Sequence, residues 1–364
     1  MGPCVGGEAT DGVPSHVRKI LALSTVAALG LAGAAYAQQN GSPQGAQPRE
    51  ATQTPGQNAS TINPQILHAQ VLLDRAGFSP GPIDGKTGIS FDDAIVNFQR
   101  SRGLPVSKTL DAATRQALLQ DNSPATRVLR LTQEDLQGQY VFPFPKEPEQ
   151  QAELPRLAYR NALEKLAEKF HTTPATIVAL NSPDTPMRAG QPLRLPNVLP
   201  TGRNYEGLKP EEAQLFSDLN VSPSYPANQG DRIVVDKSER VLQVFKGDRI
   251  VASFPVSMGS KQYPLPIGKW KVTTFAYNPP FKYQPELLNG ADKSDPVMDL
   301  PPGPNGPVGV AWLDLTKEHY GIHGTPEPQT LGRAESSGCI RMSNWDVLKL
   351  SRMVKPGVQA TFQL

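Results

Sequence analysis

The chain has 364 residues, with 36 Lys and Arg against 34 Asp and Glu, and its formal charge of +2 argues against a dedicated nucleic-acid binder, which carries a strong basic excess. That length exceeds one typical domain and predicts two or three. Its 37 prolines and 31 glycines predict long linkers and turn-rich domains.

Near the start, Arg18-Lys19 precedes the apolar run Ile20 to Ala35 and the triplet Ala35-Tyr-Ala37, the n-region, h-region and cleavage site of a secretory signal peptide over 1–37. The run is short for a bilayer span and contains two glycines, and no other stretch could cross a membrane, so no stable span is expected after cleavage. Residues Met1 to Ser15 are an odd front for such a signal, which a later start codon would explain. Loss of Cys4 leaves Cys339 as the one thiol, with no internal disulfide. The polar stretch 38–62, rich in Gln, Pro, Ser and Thr, reads as a disordered tether.

From 63 to 121 the pattern tightens. Ile66, Leu67, Val71, Leu72 and Ala76 recur at helical spacing until Gly77. After the turn-rich loop Pro80 to Gly88, Ser90 and Asp93 predict a capping box for a helix carrying Ala94, Ile95 and Phe98 and closed by Gly103; Asp111 predicts the cap of a third. Taken alone, these residues cap and pack a small bundle. The strings Gly81-Pro-Ile-Asp84-Gly85, Phe98-Gln99, Gly103-Leu104 and Leu110-Asp111-Ala-Ala-Thr114 resemble the peptidoglycan-binding domain type 1, and the resemblance implies a cell-wall glycan as partner.

Residues 122–155 show little periodicity and read as a linker, with Pro143-Phe-Pro145 extended. Over 156–198, Leu163, Leu166, Ala167 and Phe170 predict one helix, and Pro174 opens a second that buries Ile177, Val178 and Leu180 and ends at Asn181. The run Leu166 to His171, Leu180-Asn181 and Gly190 to Asn197 resembles a degenerate LysM glycan-binding module lacking its usual opening strand; a helical linker domain is the alternative. His171 reads as a helix-end residue rather than a ligand. Residues 199–230 form a further linker with one short helix near Pro210 to Leu219.

The all-β part, 231–364, opens with Arg232 to Val235, Val241 to Phe245 and Ile250 to Phe254, strands joined by hairpin turns into a meander. A strand through Trp270 to Phe275 follows, then a loop from Asn278 to about Pro307, long enough to serve as lid or groove wall. Val308 to Leu313 and Gly321 to His323 bring strands toward a site, and alternating Val358, Ala360, Phe362 and Leu364 predict a final edge or barrel strand.

The chemistry concentrates between His319 and Asp346. A thiol is a strong nucleophile only as thiolate, so Cys339 needs a neighbouring base, and His323 is the nearest candidate in sequence. Gly338 can take a positive φ and admit a carbonyl, the amides of Gly338 and Cys339 could face an oxyanion, and Ser337 can brace the turn. Ser343 to Asp346 fits a capping box, with Val347, Leu348, Leu350 and Met353 facing a core. In isolation, a lone Cys and a lone His read more readily as buried structural residues.

The string His323-Gly-Thr, sixteen residues before Cys339, together with Ser337-Gly-Cys339-Ile-Arg341, closely resembles the signature of L,D-transpeptidases of the YkuD family. Pro266-Ile-Gly-Lys-Trp270, Pro304 to Gly309 and Tyr320-Gly-Ile-His-Gly324 extend it over about 231–364. The resemblance implies a multidomain chain, with a mainly β catalytic domain of sandwich or barrel type and a short helix after the Cys loop, preceded by small helical wall-binding modules. It implies Cys339 as acylated nucleophile, His323 as base, an oxyanion role for the Gly338 and Cys339 amides, and substrate orientation by Ser337 and Arg341. Gly324, Tyr320 and His319 are neighbours of the pair. Many members carry His immediately before the Gly-Cys pair, where this chain has Ser337.

The reaction so implied attacks the third residue of a peptidoglycan stem tetrapeptide, expels D-alanine and passes the acyl group to an amine on another stem, a D-amino acid or an outer-membrane lipoprotein, with no metal or cofactor, in the periplasm or cell wall. Alternatives are an L,D-carboxypeptidase using water and a non-catalytic wall-binding protein. Sortases place the His much farther upstream, and papain-like hydrolases run Cys first. A metal site is not expected: no H-E-x-x-H and no second thiol accompany His68, His171, His319 and His323, and His319 is placed on the same strand face as His323.

Overall fold

The computed structural model describes residues 62–364 except 201, 224–228, 289–290 and 335. The predicted signal peptide, Cys4 and the tether up to residue 61 lie outside the described residues.

Three helices build the first module: α1 (Pro64–Ala76), α2 (Ile89–Arg102) and α3 (Ala112–Leu118). Asn63 caps α1 by accepting from the amides of Gln65 and Ile66, and Asp111 caps α3 by accepting from Thr114 N at 2.8 Å. The capping box expected at Ser90 and Asp93 is not formed. Helix α2 starts at Ile89 with Gly88 at its N-cap, which puts Ser90 inside the first turn. The motif residues are spent on structure: Asp84 accepts from Gln70 Nε2 (3.0 Å) and Lys86 N (2.9 Å), while Gln99 Nε2 donates to Ser107, Thr109 and Thr114.

The stretch expected as a linker, 122–155, carries strand β1 (Thr126–Arg130) and the short helices α4 (Gln133–Leu136) and α5 (Pro148–Ala152). Strand β1 pairs antiparallel with β2 (Pro192–Pro196) around helices α6 (Ala162–Lys169) and α7 (Pro174–Leu180). A strand therefore precedes these helices where the sequence predicts a linker. It escaped notice because its partner lies far along the chain and its own residues are only partly buried, so no alternation shows. The two modules share one core in which Leu67, Val71 and Ile83 of the first meet Leu166, Phe170, Ile177, Leu193 and Leu195 of the second. Helix α8 (Pro210–Asp218) follows as expected.

The C-terminal part is a nine-stranded sheet. Its strands are β3 (Arg232–Asp236), β4 (Val241–Lys246), β5 (Arg249–Pro255), β6 (Ser257–Met258), β7 (Gly268–Tyr277), β10 (Ala311–Leu315), β11 (Gly321–His323), β12 (Ile340–Arg341) and β13 (Gln359–Gln363). The hairpin β8 (Phe281–Tyr283) and β9 (Met298–Leu300) stands apart. The order is β5-β4-β3-β13-β7-β10-β11-β12-β6. Its two outermost strands, β5 and β6, are separated in the chain by Val256 alone, so the sheet must curl until its ends nearly meet.

Strand β13, expected as an edge or barrel strand, is interior: it runs parallel to β3 and antiparallel to β7, with Ala360 and Phe362 buried. The helix α9 (Asn344–Met353) crosses between β12 and β13, and it buries Trp345, Val347, Leu348, Leu350 and Met353. The first module covers the β5 edge. Ser79 N donates to Ser253 O (2.9 Å) and Ser253 N to Gly77 O (3.1 Å), which removes the exposed ladder a free edge would present.

Candidate active site

Strands β11 and β12 lie parallel, with Ile322 opposite Ile340 and His323 opposite Arg341. Side chains two apart share a face of a strand, so Cys339, Arg341 and His323 project to the same side. All three, with Ser336 and Ser337, line a cavity of about 300 Å³. The predicted pair is thus brought together although sixteen residues separate it. Phe281, Tyr283, Leu288, Leu300 and Val308 line the same cavity, so the long loop after Asn278 is a groove wall built on the β8/β9 hairpin. Pro148 and Gln151 of α5 close one side.

The His323 ring is held on two sides. Its Nδ1 lies 2.7 Å from Gly324 O, an atom that only accepts, so Nδ1 carries a proton and, in the neutral ring, Nε2 is the nitrogen with the lone pair. Its face stacks on Trp312 at 5.4 Å between centroids and 14° between planes. Trp312 reaches this position because β10 pairs with β11 in the register Trp312 to His323. The sequence places Trp312 on a strand near the site but does not show that it stacks on His323.

Cys339 follows Gly338, whose φ of 108° is a backbone conformation L side chains rarely adopt. A Cβ at Gly338 would also sit 2.7 Å from the Tyr320 ring, so Tyr320 packs against the turn itself. Ser336, which the sequence did not single out, braces the turn: its Oγ accepts from Gly259 N (2.7 Å) and Gly338 N (3.2 Å) and donates to Cys339 O (2.7 Å). The Gly338 amide, expected to face an oxyanion, is therefore engaged by Ser336. The signal was present as the doublet Ser336-Ser337, which sequence alone does not resolve into a brace and a wall residue.

Cys339 borders the cavity while exposing 0% of its surface, packed among Leu157, Tyr283, Val308 and Trp312. Its Sγ lies 3.9 Å from His319 O. His319 is in a turn with φ of 64° just before β11, not on the strand face shared with His323, and its Nε2 lies 3.2 Å from Glu318 Oε1. Its part in the site is its carbonyl. Ser337 is buried at the cavity wall, and Arg341 is half-buried at its rim.

Behind the pair, Ser343 caps α9 by accepting from Asp346 N (3.1 Å). Asp346 then turns its carboxylate to Ser79 Oγ (2.6 Å) in the first module. Among the described residues, no group of three His, Cys, Asp or Glu is placed to hold a metal ion, and no helix is long and apolar enough to cross a membrane.

Residues 230–361 match the family model of the L,D-transpeptidase catalytic domain, YkuD, and residues 63–118 match that of the "Putative peptidoglycan binding domain". The chain carries a YkuD-type catalytic domain behind a type 1 peptidoglycan-binding domain; the LysM-like stretch is matched by neither model. Among curated relatives, the "Putative L,D-transpeptidase YkuD" of Bacillus licheniformis is 34% identical over 130 residues, covering 36% of this chain and 64% of that protein. The "Probable L,D-transpeptidase YbiS" of Escherichia coli K12 is 28% identical over 144 residues, covering 38% of this chain and 46% of that protein. The chain thus spans less than two thirds of the length of these relatives. A solved L,D-transpeptidase from Xylanimonas cellulosilytica covers 83% of this chain and 94% of its own, at 14% identity and a TM-score of 0.35.

Proposed function

We propose that the chain is an L,D-transpeptidase of the cell wall in which Cys339 is acylated by a peptidoglycan stem tetrapeptide, releases D-alanine and passes the acyl group to an amine. The observation that carries this reading is the His323 ring, tied through Nδ1 to Gly324 O with Nε2 available, on the same strand face as Cys339 and lining the same cavity. In the first step His323 Nε2 takes the thiol proton and Sγ attacks the carbonyl of the third stem residue. The tetrahedral oxyanion collapses, the C–N bond breaks, and the proton on His323 goes to the leaving D-alanine amine. In the second step the acceptor amine loses its proton to His323, attacks the thioester and restores the thiol.

Because Cys339 is fully covered at rest, an incoming carbonyl has to shift a wall residue, and the β8/β9 hairpin, which lines the cavity and shares an apolar cluster with Cys339, is suited to that. The backbone of the Gly338-Cys339 turn supplies the oxyanion donor. Arg341 at the rim orients the stem carboxylate through its guanidinium fork. The type 1 module, with a contribution from the LysM-like stretch, holds glycan near the cavity. Export by the 1–37 signal places the protein in the periplasm, where a stem, a D-amino acid or an outer-membrane lipoprotein supplies the amine.

Incubation of the purified chain with tetrapeptide-stem muropeptides is expected to release D-alanine and leave an acyl mass on the Cys339 peptide. Cys339→Ala is expected to lose both by at least about 10³-fold with its melting transition retained. D-alanine release persisting in that variant sinks the reading. Arg341→Ala is expected to raise KM about tenfold or more with a smaller change in kcat; an unchanged KM removes its orienting role.

A further inference from the structure

Asn344 is the first residue of α9, fully buried, and its amide is fixed at both ends. Oδ1 accepts from Val310 N (3.2 Å), and it occupies the space where a Cβ on Gly309 or Gly324 would lie, 2.0 and 2.2 Å from those hypothetical atoms. The side-chain oxygen is therefore wedged against the backbone of Gly324, the residue whose carbonyl holds His323 Nδ1. At the other end Nδ2 donates to Pro304 O (3.1 Å) and to both carboxylate oxygens of Glu168, at 2.9 and 3.1 Å. A flipped amide would set NH2 against the Val310 N–H and oxygen against Pro304 O, so only one orientation is satisfied.

Glu168 does not belong to the catalytic domain. It comes from α6 of the second module, is 7% exposed, and its remaining partner is Tyr159 Oη, which donates at 2.9 Å. A buried carboxyl spent wholly on one catalytic-domain amide and one tyrosine is a costly way to join two modules, which points to a task beyond docking.

We infer that Glu168 is a positioning residue: through Asn344 it fixes the Gly324 peptide, and through Gly324 O it holds His323 in the tautomer that leaves Nε2 free for Cys339. The inference rests on His323 being the base partner of Cys339. It makes the second module part of the catalytic apparatus, and a catalytic domain cut away at residue 230 lacks this support.

The essential feature is an acceptor oxygen facing Asn344. The groups facing Glu168 are Asn344 from α9, Tyr159, and Glu164 on its own helix, and burial pushes its carboxyl up to about 8 against the lowering effect of Asn344 and Tyr159. A neutral side chain that keeps the oxygen should therefore serve near neutral pH. Glu168→Gln offers its oxygen to Asn344 and its NH2 to Tyr159 Oη; Glu168→Ala offers nothing.

The test uses the full chain and two readings that need no peptidoglycan: the ring 15N shifts of His323, which report the tautomer, and the rate at which iodoacetamide alkylates Cys339 across pH 6 to 9. In Glu168→Ala the His323 ring is expected to become a mixture of tautomers and the alkylation rate near pH 7 to fall about tenfold or more. In Glu168→Gln both are expected to stay within about twofold of the parent. Glu168→Asp, which withdraws the carboxyl by one methylene, gives the same comparison should the alanine variant not fold. A folded Glu168→Ala or Glu168→Asp protein with one Nδ1–H tautomer and parental alkylation overturns the inference, and so does a Glu168→Gln protein that loses both. Absence of D-alanine release by the parent chain would sink the proposed reaction and leave these two readings to decide the relay.

Discussion

Two buried acids join the N-terminal modules to α9, and they are solved in opposite ways. Asp74, at the end of α1, meets the Lys349 ammonium (2.6 Å) and the His171 ring (3.0 Å), which itself stacks on Trp345. Burial alone would push its carboxyl up, but Lys349 and His171 together hold it well below the usual carboxylate range. Glu168 lies against the same helix with neutral partners only, Asn344 and Tyr159, and burial wins, pushing it up to about 8. Asp346, between them, is also raised by burial despite Lys349 at 3.5 Å. Asp74 and Glu168, equally buried, thus shift in opposite directions, the first bonded directly to a cation and the second to neutral partners only, while Asp346 has Lys349 at a longer distance and the Asp74 charge working against it.

The sharpest way to break this contrast is to remove the cation. Lys349→Met leaves Asp74 buried with one partner fewer and Asp346 with none of opposite charge, and it is expected to cost about 3–5 kcal/mol at pH 7. Denaturant unfolding of the full chain measures this. The double variant Asp74→Asn/Lys349→Met should recover part of the loss, because the uncompensated charge is gone. A loss under about 1 kcal/mol would show that the modules are held by their shared apolar cores rather than by this polar seam.

The pH dependence sharpens the contrast, because the two acids have opposite signs. Asp74 has a depressed value in the folded chain, so its contribution is present above the ordinary 3.8 and is lost as the pH falls through that value and below. Glu168 has a raised value, so its contribution is complete below the ordinary 4.5 and is lost as the pH rises toward about 8, at no more than about 1.4 kcal/mol per pH unit. The parent chain is expected to lose stability at both ends. Glu168→Gln should remove the alkaline loss attributable to this residue and leave the acid loss intact. An alkaline arm of the same slope in that variant would assign it elsewhere.

How much of this was legible in the sequence follows from how far apart the partners lie. The nucleophile region is local: His323, Gly338, Cys339 and the Ser343 cap fall within about twenty residues, and periodicity with cap chemistry placed them on the right elements. The meander β3 to β5 was equally readable, since each turn joins neighbours. The polar seam was not. Lys349 and Asp74, Asn344 and Glu168, and Asp346 and Ser79 are all distant in sequence, and no residue's own segment names its partner. The same blindness hid β1 and left β13 undecided between an edge and a barrel strand, because the strands that flank them are set by topology rather than by local pattern. Ser336 and Asn344 sit inside the recognised motif, yet their tasks depend on Gly259 and Glu168, which only the fold brings near.

The smallest effect is expected where the modules meet in the open. Arg100 holds Glu239 through two bonds of 2.8 and 2.7 Å across the α2 and β4 surface, with side chains 38% and 32% exposed. Beside it, the buried Gln243 Nε2 donates to Asn97 Oδ1 at 2.7 Å. Solvent and salt screen the exposed pair, so Glu239→Gln is expected to cost no more than about 1 kcal/mol, and less at high salt. Asn97→Leu should cost more, because it removes the closer acceptor of the buried Gln243 amide and leaves it only the 3.4 Å contact to Glu239 Oε2. Unfolding of both variants at low and high salt orders them. If Glu239→Gln proved the more damaging, the first module would be held by its exposed charges, and the buried seam on α9 would lose its place as the joint of the molecule.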